Sequence, residues 1–247
     1  WQQTGSTGDG YKLAKDAGHK IIKPRPALIS LEIKEPWVKE LQGLSLNDVN
    51  IRAVVENRVI AEQNGEMLFT HFGISGPAVL SISSYLNKTS RRPINLQIDI
   101  KPDLSAGELD NHLQETLNKN NGKSLKNALY DLIPRRMIPV ILQLSAVDDN
   151  KKVDRVSRQE RERLVHITKN IPLTVKKMRP LNEAIVTGGG VSVKEINPST
   201  MESKIVKGLY FAGEIIDVDA LTGGYNLQIA FSTGYLSGIS AADSLYP

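Results

Sequence analysis

No cysteine occurs among the 247 residues, which excludes disulfides, thiolate zinc sites and a dithiol redox pair within the chain. The sequence also has no apolar run of about 18 residues that would predict a membrane-spanning helix, and no N-terminal signal pattern. Its formal net charge is only +4, with basic and acidic residues interspersed, which is a weak electrostatic case for nucleic-acid binding. We therefore expect a cytoplasmic protein with a small-molecule substrate, no membrane partner and no nucleic-acid partner.

The most informative segment runs from Gly208 to Gly234. Its apolar stretch Leu209–Ala212 is typical of a strand covered on both faces in a parallel sheet. Gly213 allows a ligand to approach the backbone, and Glu214 places a carboxylate where ligands of open α/β sheets bind. Thr222-Gly-Gly224 then opens a helix whose free N–H groups favour an anion or a cofactor. The alternative interpretation is that these glycines form only a turn.

The helix predicted from Tyr225 onward carries two stripes of residues at a spacing of four. Its small stripe consists of Ala230, Gly234, Gly238 and Ala242, and its large stripe consists of Leu227, Phe231, Tyr235 and Ile239. We expect the small stripe to let the helix lie close against a sheet or another backbone.

Several stretches of the chain together resemble the YhiN/BaiN-like flavoproteins, a family of FAD-dependent oxidoreductases that includes aminoacetone-oxidase-like enzymes. The stretches are Gln3–Tyr11, Leu68–Pro77, Ala184–Val191, Met201–Lys204 and Leu209–Gln228, which includes Asp217-Val-Asp219. They span almost the whole chain in the family's order. The family's dinucleotide-binding segment precedes them, yet no Gly-x-Gly-x-x-Gly follows a predicted strand here. The resemblance implies that this chain is the C-terminal piece of a longer protein.

The resemblance implies that FAD is the cofactor, with NAD(P)H as a candidate electron donor. Glu214 would hydrogen-bond a ribityl hydroxyl, and the helix from Tyr225 would direct its N–H groups at the pyrimidine side of the flavin. The predicted cofactor-binding residues are Gly189, Gly190, Gly213, Glu214, Thr222, Gly223, Gly224, Tyr225, Asn226 and Leu227. We expect the chain alone to bind FAD weakly, because half of the family's FAD contacts would be missing.

The pattern along the chain changes from strands to helices and back to strands. The predicted strands are Ala27–Ile33, Val49–Glu56, Arg58–Glu62, Glu66–Thr70, Ile94–Ile100, Leu173–Lys176 and Glu183–Thr187. Gln63-Asn-Gly65 predicts a hairpin turn, and Ser75-Gly-Pro77 predicts the start of a helix that ends near Leu86. Capping boxes begin helices at Ser105-Ala-Gly-Glu108 and Ser157-Arg-Gln-Glu160.

The fold class implied by this order and by the resemblance combines α/β with α+β architecture. The C-terminal part of a Rossmann-like FAD domain is interrupted by an inserted β-barrel, which itself contains a nested helical subdomain. The predicted boundaries are 1–25 and 183–247 for the FAD-binding domain, 26–102 and 171–182 for the barrel, and 103–170 for the helices.

The remaining candidate positions are less specific. Thr4–Gly10 could line the flavin ring or hold an anionic substrate, or could simply cap a helix. Gly188-Gly-Gly190 could bring backbone close to the cofactor or form a hairpin turn, and the resemblance favours the cofactor. His71 is a weak candidate proton donor. The other histidines show no metal-ligand spacing, so no metal site is predicted, and no catalytic residue is identified.

Two alternative functional classes stay open. One is an RNA-modifying or RNA-binding flavoprotein, because related two-part FAD folds occur there. The other is a non-catalytic insert or scaffold fragment that folds but retains no FAD. The oligomeric state is unknown from the sequence.

Overall fold

The computed structural model describes residues 5–89 and 93–245 of the chain. Contacts divide the chain into two compact units. Unit 1 comprises Trp1–Ser30, Ser83–Ser90 and Met178–Pro247, and unit 2 comprises Leu31–Ile82 and Arg91–Lys177.

A region of strands, then a region of helices, then further strands follow along the chain, as the sequence pattern predicts. The helices are α1 (Asp9–Asp16), α2 (Pro77–Leu86), α3 (Ala106–Lys119), α4 (Leu125–Ala128), α5 (Ile138–Leu144), α6 (Arg158–Lys169) and α7 (Tyr225–Leu245). The strands are β1 (Ile21–Ala27), β2 (Leu31–Ile33), β3 (Ser45–Val55), β4 (Arg58–Phe69), β5 (Gly73–Ser75), β6 (Asn95–Asp99), β7 (Ile171–Met178) and β8 (Val186–Val191). Short 3-10 turns connect several of these elements, among them Leu181–Glu183 and Gly213–Ile215.

Unit 2 is built on a closed barrel with the strand order β2-β5-β4-β3-β6-β7. Every second residue along the end of β3 is buried, as the two-residue period of a strand requires, and Ile51 and Ala53 are fully enclosed. Ile51 pairs with Ile98 of β6, and Ala53 pairs with Leu96. These facing apolar side chains fill the interior, so the predicted β-barrel is confirmed.

The hairpin between β3 and β4 lies elsewhere than predicted. Val55 pairs with Arg58, so the two-residue turn is Glu56-Asn57, and both of these residues have a positive φ. The prediction of a turn at Gln63-Asn-Gly65 is wrong, because this segment lies inside the continuous strand β4. Gly65 has a φ of +137° beside an irregularity in the β3–β4 register. The extra residue of this irregularity lies on β3, where Asn47 and Asp48 are opposite Glu66, so Gly65 stays in the ladder of β4 beside a bulge.

The predicted strand Ala27–Ile33 is divided into two. Leu28 has a φ of +49°, which ends β1 and prevents a continuous extended conformation. Within unit 1, the backbone N–H of Leu28 donates to Ser84 and that of Ile29 donates to Ser83. These hydrogen bonds replace the ladder bonds that a strand would have made at this point.

The helical segment of unit 2 begins its helices as predicted. Ser105 and Glu108 form a capping box at α3, and Ser157 and Glu160 form another at α6. A hydrogen-bonded ion pair between Asp110 of α3 and Arg161 of α6 joins these helices, with a shortest distance of 2.6 Å. The predicted helix start at Pro77 is also confirmed.

Unit 1 contains the antiparallel pair β1–β8 and a small apolar core. The core residues are Ala14, Val191, Ile196, Met201, Phe211 and Ile216. Leu209–Ala212 contributes Phe211 to this core but is not the predicted strand. Its backbone forms a single bridge between Tyr210 and Glu202, so among the described residues it lacks the neighbouring strands that a parallel sheet requires.

Helix α7 begins at Tyr225 as predicted, but none of its residues is buried. The large stripe is open to solvent, and Phe231 and Tyr235 are 69% and 73% exposed. A Cβ at Gly234 or Gly238 would have no neighbouring atom within 4 Å among the residues that the structure describes. Ala230 does lie beside the backbone of Gly213, where a Cβ would be 3.9 Å from the Ala230 Cβ, so the expectation that the small stripe lies against other backbone is wrong only for Gly234 and Gly238.

Candidate functional site

An open cleft of about 590 Å³ lies within unit 1. Its walls come from the loop and first turn of α1 (residues 5–11), from Pro24, from residues in the 181–187 segment, and from Glu214 and Ile215. The cleft therefore brings the predicted residue Glu214 together with the glycine- and hydroxyl-rich segment before α1. Thr4, the first residue of that predicted segment, lies outside the described residues.

Tyr11 projects from the first turn of α1 into this cleft. Its hydroxyl donates a long hydrogen bond, 3.4 Å, to the backbone carbonyl of Glu214. Burial raises the pKa of the Tyr11 phenol above its ordinary value of 10.0, and the nearby charge of Glu214 raises it further. The Tyr11 phenol is therefore protonated and uncharged at neutral pH.

Glu214 also lines the cleft. Its Oε1 accepts a long hydrogen bond, 3.4 Å, from the backbone N–H of Thr187. The preceding residue, Gly213, has a φ of +75° and donates its N–H to the Thr233 hydroxyl of α7 at 2.9 Å. This bond fixes the Gly213–Ile215 turn to the helix and so determines where the Glu214 carboxylate lies.

The predicted cofactor-binding residues at the start of α7 leave the N-terminus of this helix open to solvent. Gly223 and Gly224 have positive φ, and a Cβ at Gly224 would have open space around it. The Asn226 side chain turns back onto the loop, where it accepts from the N–H of Ala220 and donates to the carbonyl of the same residue. Asn226 thus holds the loop, while Tyr225 and Leu227 are largely exposed.

Gly189 and Gly190 lie inside β8 and are buried. Ile22 of β1 pairs with Gly190, so the hairpin turn considered for these glycines is not formed. A Cβ at Gly189 would lie 2.5 Å from the carbonyl oxygen of Lys23, and one at Gly190 would lie 2.3 Å from that of Ile215. The close approach of the chain's own backbone thus explains both glycines, and contact with a cofactor stays a prediction.

Asp217 and Asp219, which belong to the family-like signature, face a cationic neighbour. A guanidinium nitrogen of Arg25 lies 3.5 Å from Asp219 and 3.9 Å from Asp217. The Asp219 side chain is 5% exposed, and the Lys88 ammonium lies 3.7 Å from its other oxygen. Burial of a carboxylate requires such pairing, so these residues hold the Asp217–Asp219 loop against β1.

His19 forms a buried chain of polar contacts with Glu195 and Ser203. The Nδ1 atom lies 3.2 Å from Glu195, and Nε2 lies 2.8 Å from the Ser203 hydroxyl. The same hydroxyl accepts the N–H groups of Ile205 and Val206. Because His19 and Ser203 are buried, this arrangement fixes a loop and offers no access to a substrate.

The structure adds little support to the other weak candidates. His71 is exposed, and its ring meets the edge of Phe72 at 4.9 Å. In the part of the chain that the structure describes, no group of acidic and histidine side chains could hold a metal ion. Among the described residues, no helix combines the length and the apolar character needed to cross a membrane.

Sequence reasoning missed the second wall of the cleft and the role of Tyr11 in it. Leu181 and Asn182 carry no motif that would distinguish them from a surface turn, and Ala184 and Ile185 lie in a family-like stretch that gave no sign of facing a cleft. Tyr11 did lie within a family-like stretch, and its position three residues after Gly8 on α1 was the available signal. Only folding brings it to Glu214, which is 203 residues away in sequence.

Comparison with known proteins relates the chain to a family of matching architecture. Residues 25–186 match the model of the HI0933-like protein barrel and H2TH domain. The chain is 34% identical over 241 residues to a 3-dehydro-bile acid delta(4,6)-reductase from Clostridium scindens, a match covering 97% of this chain and 59% of that protein.

Two ribosomal RNA dihydrouridine synthases are also similar. The Escherichia coli protein is 33% identical over 231 residues, which cover 94% of this chain and 55% of the relative. The Haemophilus influenzae protein is 34% identical over 238 residues, which cover 96% and 56%. The chain thus spans little more than half the length of these relatives. It belongs to the HI0933-like family, which is the BaiN/YhiN-like family that the motifs resemble.

Proposed function

We propose that the protein containing this chain is an FAD-dependent oxidoreductase that reduces a small organic molecule. The observation that carries the proposal is the position of Glu214, which lines the cleft while its neighbour Gly213 is bonded to α7. This arrangement places a carboxylate beside a cleft large enough for part of a cofactor or substrate. Membership of the family and the reductase among the relatives support it.

The residues present fit a flavin at the start of α7. Open space around the backbone at Gly224 allows a planar ligand to approach, and the first N–H groups of a helix have no intrahelical partners. These donors would favour negative charge at the pyrimidine side of the ring, with Glu214 holding a ribityl hydroxyl. When bound, the flavin would supply hydride transfer, with NAD(P)H as the candidate donor.

The helix terminus would tune the cofactor modestly. A helix N-terminus stabilises a nearby anion by about 0.3 to 2 kcal/mol. For a two-electron couple this corresponds to at most about 40 mV in reduction potential. Other groups must therefore supply most of the rate enhancement.

We further propose that the substrate carries a carbon–carbon double bond conjugated with a carbonyl group. The names of the relatives support this class, because a 3-dehydro-bile acid delta(4,6)-reductase and a dihydrouridine synthase both saturate such a bond. The hydrogen-bond donors of the cleft, including the Tyr11 hydroxyl and the Asn182 amide, suit the recognition of a carbonyl compound.

The flavin spectrum of the complete protein tests the cofactor assignment. We expect the protein to purify yellow, and Glu214→Ala to lower flavin occupancy because a polar contact is removed. Glu115→Ala is the matched control, since Glu115 lies in α3 of unit 2 and its side chain is 66% exposed. A colourless complete protein that gains no flavin spectrum with added FAD would contradict the proposal. For the 247-residue chain alone we expect weak or absent FAD binding.

A second candidate function is the reduction of uridine within RNA. The two relatives named as ribosomal RNA dihydrouridine synthases favour it. Binding of a ribosomal RNA fragment, measured by fluorescence anisotropy over a range of salt concentrations, tests it, since phosphate contacts give a steep salt dependence. Absence of a salt-dependent signal would leave the small-molecule reductase as the better assignment.

A further inference from the structure

Several neutral hydroxyl groups line the cleft of unit 1, and the Tyr11 phenol is the most acidic of them, since the others are the aliphatic hydroxyls of Ser6, Thr7 and Thr187. Reduction of a conjugated double bond adds a hydride at one carbon and a proton at the carbon next to the carbonyl. Asp9 and Glu214 are the charged residues that line the cleft, and carboxylates only accept hydrogen bonds. The Thr7 hydroxyl already donates to Asp9 at 2.6 Å. Tyr11 remains as the phenolic donor.

The fold holds the Tyr11 ring but leaves its proton available. A Cβ at Gly8 would lie 3.4 Å from the ring, so the ring packs over the backbone at the start of α1. The 3.4 Å bond to the Glu214 carbonyl is longer than the usual limit of about 3.0 Å for O–H···O hydrogen bonds. A ligand carbon or oxygen in the cleft can therefore compete for this proton.

We infer that Tyr11 is the general acid of the cleft and protonates the carbon next to the substrate carbonyl. This inference rests on the proposed function. The Tyr11 Oη–H bond breaks and a C–H bond forms at that carbon, while the hydride and its electron pair would come from the reduced flavin. Solvent water, which reaches the open cleft, returns a proton to the phenolate.

The electrostatic surroundings of Tyr11 agree with this role. Burial, followed by the charge of Glu214, raises the pKa of the phenol and keeps it protonated at neutral pH. A phenol is nevertheless a far stronger acid than the carbon next to a carbonyl, so proton transfer to an enolate is downhill. The charge of Glu214 disfavours the phenolate until a substrate charge requires the proton.

Tyr11→Phe in the complete, flavin-containing protein tests the inference. The probes are cyclohexenone and uridine, and the two half-reactions are followed separately by flavin absorbance. We expect reduction of the flavin by NAD(P)H to be unchanged and reduction of the probe to slow by about 100-fold or more, the usual contribution of a general acid. Tyr130→Phe is the matched control, because Tyr130 lies in unit 2 and not in the cleft. The Arg135 guanidinium carbon lies over its ring, 4.8 Å from the ring centroid.

Two readouts separate proton donation from a packing role. The ultraviolet titration of tyrosinate, compared between wild type and Tyr11→Phe without substrate, should show one phenol that titrates above the ordinary value, and Glu214→Gln should lower it. The wild-type rate of probe reduction should fall as that phenol ionises, whereas the residual rate of the variant should not. A fluorotyrosine at position 11 retains the ring and should move the fall to lower pH, which covers the case in which the variant folds poorly.

The outcomes distinguish the inference from the proposed function. If the wild type reduces a probe and Tyr11→Phe does so equally fast, Tyr11 is not the acid, while the reductase assignment stands. If the wild type binds flavin but reduces neither probe, the substrate class and the inference both fail. If Tyr11→Phe slows probe reduction but the residual rate depends on pH as the wild-type rate does, Tyr11 has only a packing role. That result would overturn the inference.

Discussion

Replacement of Gly190 by alanine should strongly destabilise unit 1, even without a cofactor. The new Cβ would lie 2.3 Å from the Ile215 carbonyl oxygen and 3.0 Å from a backbone carbon of Ile216. Both atoms belong to the main chain, so no side chain can rotate away. Gly190 also has a φ of +134°, which L-residues rarely adopt. Backbone strain of about 1–2 kcal/mol and overpacking of about 1–3 kcal/mol together predict a loss of about 2–5 kcal/mol.

Two further glycines provide matched controls for this experiment. Gly208 has a φ of +80° but open space around a Cβ, so Gly208→Ala should lose only the strain of about 1–2 kcal/mol. Gly234 lies in α7, also in open space, and Gly234→Ala should be neutral or stabilising by up to about 1 kcal/mol. The measurement is the free energy of unfolding in urea for the chain without flavin.

The order of the three variants decides the argument. If Gly190→Ala and Gly208→Ala lose the same free energy, backbone crowding at Gly190 is not the cause, and the steric explanation of this glycine is refuted. A Gly190→Ala variant that is as stable as the wild type, but loses flavin in the complete protein, would instead assign Gly190 to the cofactor site.

Two other stability predictions concern polar contacts. Ser203→Ala should lower the free energy of unfolding by about 1–3 kcal/mol, because the buried His19 ring and two backbone N–H groups lose their partner. Ser244→Ala on the exposed end of α7 is the control. Equal losses of free energy in the two variants would contradict a stabilising role for the Ser203 contacts. Hydrogen bonds from Lys151 and the Ser157 cap lower the pKa of Glu160 from 4.5 to about 2, so its stabilising contribution is present above pH 4.5 and is lost as the pH falls towards 2. Glu160→Gln should flatten this part of the acid unfolding curve, whereas an unchanged curve would show that the contacts do not persist in solution.

Local sequence patterns determined most element types correctly. The capping boxes of α3 and α6, the proline at the start of α2 and the long helix after Gly224 depend on interactions within a few residues. The apolar alternation of Asn95–Asp99 likewise predicted β6. Such interactions are the same in any tertiary context, which is why the sequence alone is sufficient to predict them.

Tertiary structure decided where ambiguous glycines and apolar runs are used. Asn64-Gly65, predicted as a turn, lies inside strand β4, and the turn is formed by Glu56-Asn57 instead. The long-range pairing of β3 with β4 sets this register. Leu209–Ala212, predicted as a strand, contributes to the core but does not pair within a sheet. An apolar run indicates burial, but it does not indicate which neighbouring strands would complete a ladder.

The candidate site was predictable only in part. The sequence identified Glu214 and the glycines before α7 through their resemblance to a family, whereas the cleft itself depends on segments far apart in the chain. Tyr11, residues 181–187 and Glu214 meet because β1 pairs with β8 and the Gly213–Ile215 turn is bonded to α7. Sequence thus determined the family and the local elements, and long-range packing determined which groups share a cleft, because proximity across 203 residues has no local signal.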